Sequence, residues 1–167
     1  LLLFAGAFRT ASAASAFSAT STNSARAGSN NITISQIAQE QRSVSNAFAS
    51  DTNQFSSDAV TLSLTVGSAD ATTINVADAT LQGTVSAINA ADLGVTAEIV
   101  DTGVAGDRYR IQLIGETGAD QSFELSSSDE SISFSSVQTA TDAQLNINGI
   151  DRQARSNFTS MASNSRH

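Results

Sequence analysis

The sequence predicts an α+β fold that is mostly β, with small antiparallel sheets, one short packed helix and a truncated helix at the N-terminus. Three observations predict it. Apolar and polar residues alternate in several short runs, as half-buried strands require. Gly, Asn, Asp and Ser separate these runs and favour turns. One central stretch instead carries its apolar residues at helical spacing.

The central helix is expected to begin at Thr80, whose hydroxyl can cap free backbone N–H groups. Leu81, Val85 and Ile88 follow at a spacing that places them on one helix face. The Leu-Gly pair at residues 93–94 is expected to end the helix, because glycine readily adopts the left-handed conformation of a helix stop.

Three strands are expected after this helix. Residues 95–100 alternate with a period of two, and residues 109–113 alternate again after a glycine-containing turn. A second turn at residues 115–118 leads to a third strand around residues 123–125. This order predicts a helix packed on an antiparallel meander.

Other strands are expected on both sides of this region. Residues 60–66 and 73–76 alternate around a polar turn and predict a hairpin. Short strands are also predicted at residues 32–34, 132–134 and 145–147. The first and last of these flank the hairpin-rich middle and have no convincing partner nearby. We therefore expect them to pair with each other.

The chain opens with a strongly apolar segment. Leu1, Phe4 and Phe8 have the spacing of one helix face and are expected to belong to a helix whose beginning is missing. Residues 11–13 would suit a secretory cleavage site, but no basic segment precedes the apolar run, which disfavours a signal peptide. The run is also far shorter than the ~20 residues of a membrane-spanning helix, so no membrane insertion is expected. Residues 10–31 are small and polar, which predicts a linker.

Composition excludes several classes of function. The net charge is -8, every basic residue is Arg, and no basic patch is evident, so no nucleic-acid partner is expected. The chain has no Cys, which excludes disulfides and thiolate metal sites. At 167 residues and 40% hydrophobic content, it can bury a core of one domain or two small ones.

Residues that could carry catalysis are sparse, and no catalytic, cofactor-binding or metal site is predicted. His167 is the only histidine and is the last residue. The acidic pair at residues 129–130, and Glu116 with Asp120, could suggest a glycosidase couple or a cation site. Neither pair lies in a loop with the ligand spacing of a calcium site, so we interpret both as solvated turns.

One cationic cluster lies beside an aromatic residue, in the Asp-Arg-Tyr-Arg sequence of residues 107–110. Arginine and tyrosine could stack on a sugar or contact another subunit. The alternative is a strand whose long side chains extend along its outer face.

Residues 79–125 carry a resemblance to a known module. Leu81, the Ile88-Asn89 pair, the Gly94-Val95 pair, the strand at 109–113 and the Thr117-Gly118 pair follow the order of the "flagellin IN" module. This module occurs in flagellins and in hook-associated proteins of bacterial flagella. The resemblance therefore indicates a class of axial flagellar proteins.

Two further motifs resemble one family of that class, the flagellar cap proteins, or hook-associated protein 2. Residues 36–42 follow a predicted strand and resemble its "QLAQ" phrase, with Ile37 in place of the usual leucine. Residues 140–150 resemble an Ala-x-x-Ala run and a strand ending in Asn-Gly-Ile, and residues 155–157 an Arg-Ser-Asn phrase. Residues 158–167 depart from the family, which continues with a glycine-valine strand.

The resemblance implies a secreted structural protein that forms a ring of subunits at the filament tip and promotes flagellin polymerisation. Its partners would be copies of itself in the full-length protein, flagellin and other axial proteins. Residues 1–20 would be the remnant of a helical leg domain and linker. Residues 21–53 with 131–167 would form a discontinuous outer β domain, and residues 54–130 an inserted β-rich domain.

Two alternatives stay open at this point. The chain could be a flagellin outer domain or part of hook-associated protein 1, which the motifs at residues 148–150 and 155–157 disfavour. It could also be a carbohydrate-binding adhesin domain that contacts host glycans through Tyr109 and its flanking arginines. Neither alternative makes the chain an enzyme.

Overall fold

The computed structural model describes residues 31–157. In this range, the regular structure comprises antiparallel strands, one α-helix and a short 3-10 helix. The strands are β1 (Ile32–Gln36), β2 (Glu40–Ser45), β3 (Val60–Val66), β4 (Thr72–Val76), β5 (Thr96–Asp101), β6 (Tyr109–Thr117), β7 (Phe123–Ser127), β8 (Phe134–Gln138), β9 (Ala143–Ile147) and β10 (Ile150–Ala154). The helices are α1 (Leu81–Ala91) and the 3-10 helix Ala119–Gln121.

The strands form three sheets, with the orders β1-β9-β10, β5-β6-β2-β8 and β4-β3-β7. The predicted fold class, mostly β with small antiparallel sheets and one short helix, is confirmed. The expected N-terminal helix, nearly all of the linker and His167 fall outside the described residues. The domain ranges stay a prediction; the four-stranded sheet combines β2 and β8 with β5 and β6.

A single antiparallel ribbon runs through two of these sheets. β1 pairs with β9, with Ile32 opposite Ile147, so the predicted pairing of these distant segments is confirmed. Farther along the chain, β2 pairs with β8, again antiparallel. Residues 32–45 and 134–147 therefore form what we call the ribbon. In the first half, β10 pairs with β9, and we call the sheet of β1, β9 and β10 the terminal sheet. In the second half, β6 pairs with β2, and β5 pairs with β6.

The predicted helix is confirmed, and its N-terminus is capped as expected. The Thr80 hydroxyl oxygen accepts a hydrogen bond from the Gly83 N–H at 3.0 Å, and Leu81 and Ile88 are buried. The helix ends earlier than predicted, because Asp92 already adopts the left-handed conformation with φ 50°. Gly94 also has a positive φ, 76°, and the chain then enters β5.

The predicted three-stranded meander is wrong in its last strand. β5 and β6 form the expected hairpin, but β7 pairs with β3 in another sheet. β6 cannot accept β7 because β5 occupies one of its edges and β2 the other. The turn also lies later than predicted: β6 continues to Thr117, and Gly118 and the 3-10 helix reverse the chain.

The hairpin of β3 and β4 is confirmed, with Leu62 opposite Ile74. A second hairpin, β9 with β10, corrects the expectation that β9 has no neighbouring partner. Its turn residues Asn148 and Gly149 have φ values of 53° and 87°, the positive values that a tight two-residue hairpin turn requires. The strand predicted at residues 132–134 begins later, at Phe134.

The apolar core lies outside the terminal sheet. Leu62 of β3, Ile88 of α1 and Ile111 of β6 are almost fully buried in one cluster. Among the described residues, none from β1, β9 or β10 belongs to this cluster, although Ala143 and Ile147 are buried within the terminal sheet itself. We call the two other sheets and α1, which share this core, the body.

Shortening a core side chain should destabilise the protein strongly. Ile111 is 0% exposed, so Ile111→Ala should lower the free energy of unfolding by about 2–5 kcal/mol, because it leaves a cavity. Ile150→Ala is the matched control, since Ile150 is 64% exposed, and should change it by less than about 0.5 kcal/mol. Urea denaturation measures both; equal losses would contradict this placement of the core.

Candidate functional site at the neck of the ribbon

The ribbon narrows between its two halves to one bridging pair. The Gln39 N–H donates to the Thr141 carbonyl at 2.9 Å, and the Thr141 N–H donates to the Gln39 carbonyl at 3.0 Å. This pair joins the β1/β9 half to the β2/β8 half. We call residues 37–39 and 139–142 the neck, because the terminal sheet connects to the body through them.

An asparagine side chain completes one side of the neck. The Ala38 N–H donates to Asn157 Oδ1 at 2.7 Å, and Asn157 Nδ2 donates to the Ala38 carbonyl at 3.0 Å. Ala38 is only 3% exposed, so water has little access to its backbone groups. The carboxamide therefore replaces the neighbouring strand that these groups would otherwise need.

The turn after β6, which belongs to the body, forms hydrogen bonds to the neck. The Gly118 N–H donates to the Gln39 carbonyl at 3.3 Å, and the Ala119 N–H donates to Asp142 Oδ1 at 2.7 Å. On the terminal-sheet side, Gln36 Nε2 donates to the Asp142 carbonyl at 2.8 Å. Asp142 thus contacts both parts of the molecule.

Arg155 packs over the same turn. Its guanidinium forms an ion pair with Asp120 at 2.9 Å, with both side chains more than half exposed. Arg155 also packs closely against Gly118. A Cβ added to Gly118 would lie 2.9 Å from the Arg155 Cβ, and Gly118 has φ 111°. Only glycine fits this position without displacement.

Residues from all three sequence resemblances meet at the neck. Ala38 and Gln39 belong to the second motif, Gly118 to the Thr-Gly pair of the module, and residues 155–157 to the Arg-Ser-Asn phrase. Sequence reasoning found these motifs but did not predict that they touch. Reciprocal bonding of the Asn157 amide to Ala38 leaves no periodic signal that could have revealed it.

Two other amides form the same kind of bridge within the body. Gln41 Nε2 donates to the Phe123 carbonyl at 2.6 Å and its Oε1 accepts from the Phe123 N–H at 3.0 Å, which ties β2 to β7. Asn89 bonds both backbone groups of Ala97 at 3.0 and 2.8 Å, which ties α1 to β5. The isoleucine-asparagine pair of the module therefore has a structural role.

The cationic cluster is held by internal partners. Arg108 donates to both carboxylate oxygens of Asp101, and this contact, with a bond from the Gly103 N–H, lowers the pKa of Asp101. Its guanidinium carbon also lies 5.3 Å from the Tyr109 ring centroid. Arg110 donates to the Ser45 carbonyl at 2.9 Å. These contacts favour the alternative interpretation, a strand whose long side chains extend along its outer face.

The acidic residues singled out in the sequence lie in different local environments. Asp120 pairs with Arg155, whereas Glu116 lies exposed on β6. A hydrogen bond from Ser56, with others from Ser131, lowers the pKa of Asp129. Within residues 31–157, no cluster of three or more His, Cys, Asp or Glu side chains could hold a metal. No helix in this range could span a membrane.

Replacing Gly118 should weaken the neck. Gly118→Ala should lower the free energy of unfolding by about 1–3 kcal/mol more than Gly103→Ala, because the new Cβ collides with Arg155. Gly103 is a matched control with a positive φ of 71° and no heavy atom within 4 Å of an added Cβ. Thermal and urea unfolding compare the two; equal losses would mean that backbone strain, and not the contact, dominates.

Solved structures of flagellar cap proteins match this fold. The FliD D2-D3 domains from Escherichia coli share 29% identity with the chain, over 90% of it and 86% of that structure, with a TM-score of 0.77. The E. coli FliD D1-D2-D3 structure shares 27% identity over 89% of the chain, with a TM-score of 0.74. The chain spans about half, 49%, of that longer structure.

More distant matches support the fold alone. FliD (HAP2) from Pseudomonas aeruginosa shares 24% identity over 81% of the chain and 70% of that structure, with a TM-score of 0.65. No protein-family model and no curated protein sequence matches the chain. The motifs, the fold and the two E. coli matches agree: the chain is similar in sequence and structure to the flagellar cap proteins, also called hook-associated protein 2.

Proposed function

We propose that this chain is the outer part of a cap subunit, which is exported, sits at the tip of the bacterial flagellar filament and promotes flagellin polymerisation there. The similarity to the E. coli cap protein over 90% of the chain carries this proposal. The role is structural and not enzymatic. Its partners are other copies of the subunit, flagellin and other axial proteins.

The neck supports this role physically. Asn31, at one end of the described range, bonds to Asn148 in the terminal sheet, and Asn157, at the other end, bonds to Ala38 at the neck. Helical legs attached at the two chain ends would therefore act first on the terminal sheet and the neck. The contacts at the neck then set the direction in which the body projects from the legs.

The other candidate functions have less support. The solved structures reported above are cap proteins. The arginines of the cationic cluster are engaged by Asp101 and by the Ser45 carbonyl, which gives no specific indication of a glycan site. We therefore advance only the cap function.

Loss of the encoding gene tests the proposal. A deletion strain should export unpolymerised flagellin into the medium and carry short or no filaments, and the intact gene supplied in trans should restore them. Electron microscopy and immunoblotting of the culture medium measure these outcomes. Normal filaments in the deletion strain would remove the proposed function.

The isolated chain should not assemble by itself. Its net charge of -8 makes subunits repel, and a stable interface usually buries ~1,200 Å² or more. We expect the 167-residue chain to be chiefly monomeric at micromolar concentration, while a longer chain with both helical leg regions forms a ring. Light scattering decides between these states, and a ring formed by the short chain would show that the legs are dispensable.

A further inference from the structure

We propose that the terminal sheet opens from the body at the neck as a separate cooperative unit, and that the Asn157 side chain is the clasp that controls this opening. The inference rests on the proposed function only for its biological consequence. The physical basis lies in the burial and hydrogen bonding of the described residues.

The first observation is that the two parts share no apolar core. In the described range, the core cluster draws on β3, β4, α1, β5, β6 and β7 but on no strand of the terminal sheet. The buried side chains of the terminal sheet strands, Ala143 and Ile147, lie in β9. Parts of a protein with few shared apolar contacts open independently of the most stable core.

The second observation is that, apart from the packing of Arg155 against Gly118, the contacts described across the neck are polar. The Gln39–Thr141 pair and the bond from Ala119 to Asp142 are hydrogen bonds, and Arg155–Asp120 is an exposed ion pair. Exposed ion pairs contribute little to stability because water competes for both charges. Contacts of this kind can break and be replaced by water without disturbing the core.

Asn157 differs from these contacts because its bonding partner is buried. In the closed state its carboxamide satisfies both backbone groups of Ala38, which is 3% exposed. Removing the amide leaves a buried N–H and C=O unpaired, which is costly. In an open state water can reach both groups, so the substitution penalises the closed state selectively.

In a cap subunit, opening at the neck gives the body a second orientation relative to the legs. The clasp would then regulate how readily the outer part moves when a flagellin subunit enters beneath it. The same residues that hold the body in place would determine how often it is released.

Hydrogen-deuterium exchange of the 167-residue chain tests the clasp. In Asn157→Ala, we expect the amides of Gln39, Thr141 and Ala119, which bond across the neck, to exchange about tenfold faster, while those of β3 and β6 keep their wild-type protection. Asn89→Ala is the matched control, because Asn89 forms the same two bonds with Ala97 inside the body. It should leave the exchange rates of the three amides that bond across the neck unchanged.

Asn157→Asp provides a second, isosteric variant in case the alanine variant folds poorly. The carboxylate keeps the acceptor for the Ala38 N–H but sets an oxygen against the Ala38 carbonyl in place of the donor, so exchange across the neck should again be faster than in the wild type. Unchanged exchange of the amides that bond across the neck, or equal acceleration in β3 and β6, would overturn the proposal. Since exchange needs no filament, its outcome is independent of the gene-deletion test of the cap function.

Discussion

The antiparallel pairing of residues 32–45 with 134–147 is the constraint on which the rest of the molecule depends. It joins segments about a hundred residues apart in the chain and places the terminal sheet at one end and the body at the other. Of the elements between these segments, β5 and β6 extend one half of the ribbon, and β3, β4 and β7 form a separate sheet of the body. Closing so long a loop costs conformational entropy, which the core of the body offsets.

Amide side chains form hydrogen bonds with backbone groups that have no partner strand in this arrangement. Where a strand ends beside another sheet, its N–H and C=O groups still need partners. Gln41, Asn89 and Asn157 each supply both a donor and an acceptor to one residue of a neighbouring segment. Gln41 thereby joins two of the sheets, Asn89 joins the helix to a strand, and Asn157 bonds to the neck.

Local patterns predicted most elements, and tertiary competition explains the failures. The alternation of residues 60–66 and 109–113 and the capping of α1 depend on neighbouring residues, so the sequence sufficed. The partner of β7 could not be read from local patterns, because it depends on the pairing of β5 and β2 with the two edges of β6. The neck was not predictable, because the bonding of Asn157 to Ala38 follows from the register of strands far apart in sequence.

Engineered disulfides test the continuity of the ribbon most directly, since the chain contains no cysteine. Ile34 lies opposite Leu145 in the terminal sheet, and Val44 opposite Ser135 in the body. Opposite residues of antiparallel strands lie within the ~4.4–6.8 Å Cα range of a disulfide. Both double-cysteine variants should therefore close intramolecular bonds on mild oxidation, as non-reducing mass spectrometry would detect, while Ile34→Cys with Ser135→Cys stays open. Failure of either opposed pair in a folded protein would contradict a continuous ribbon.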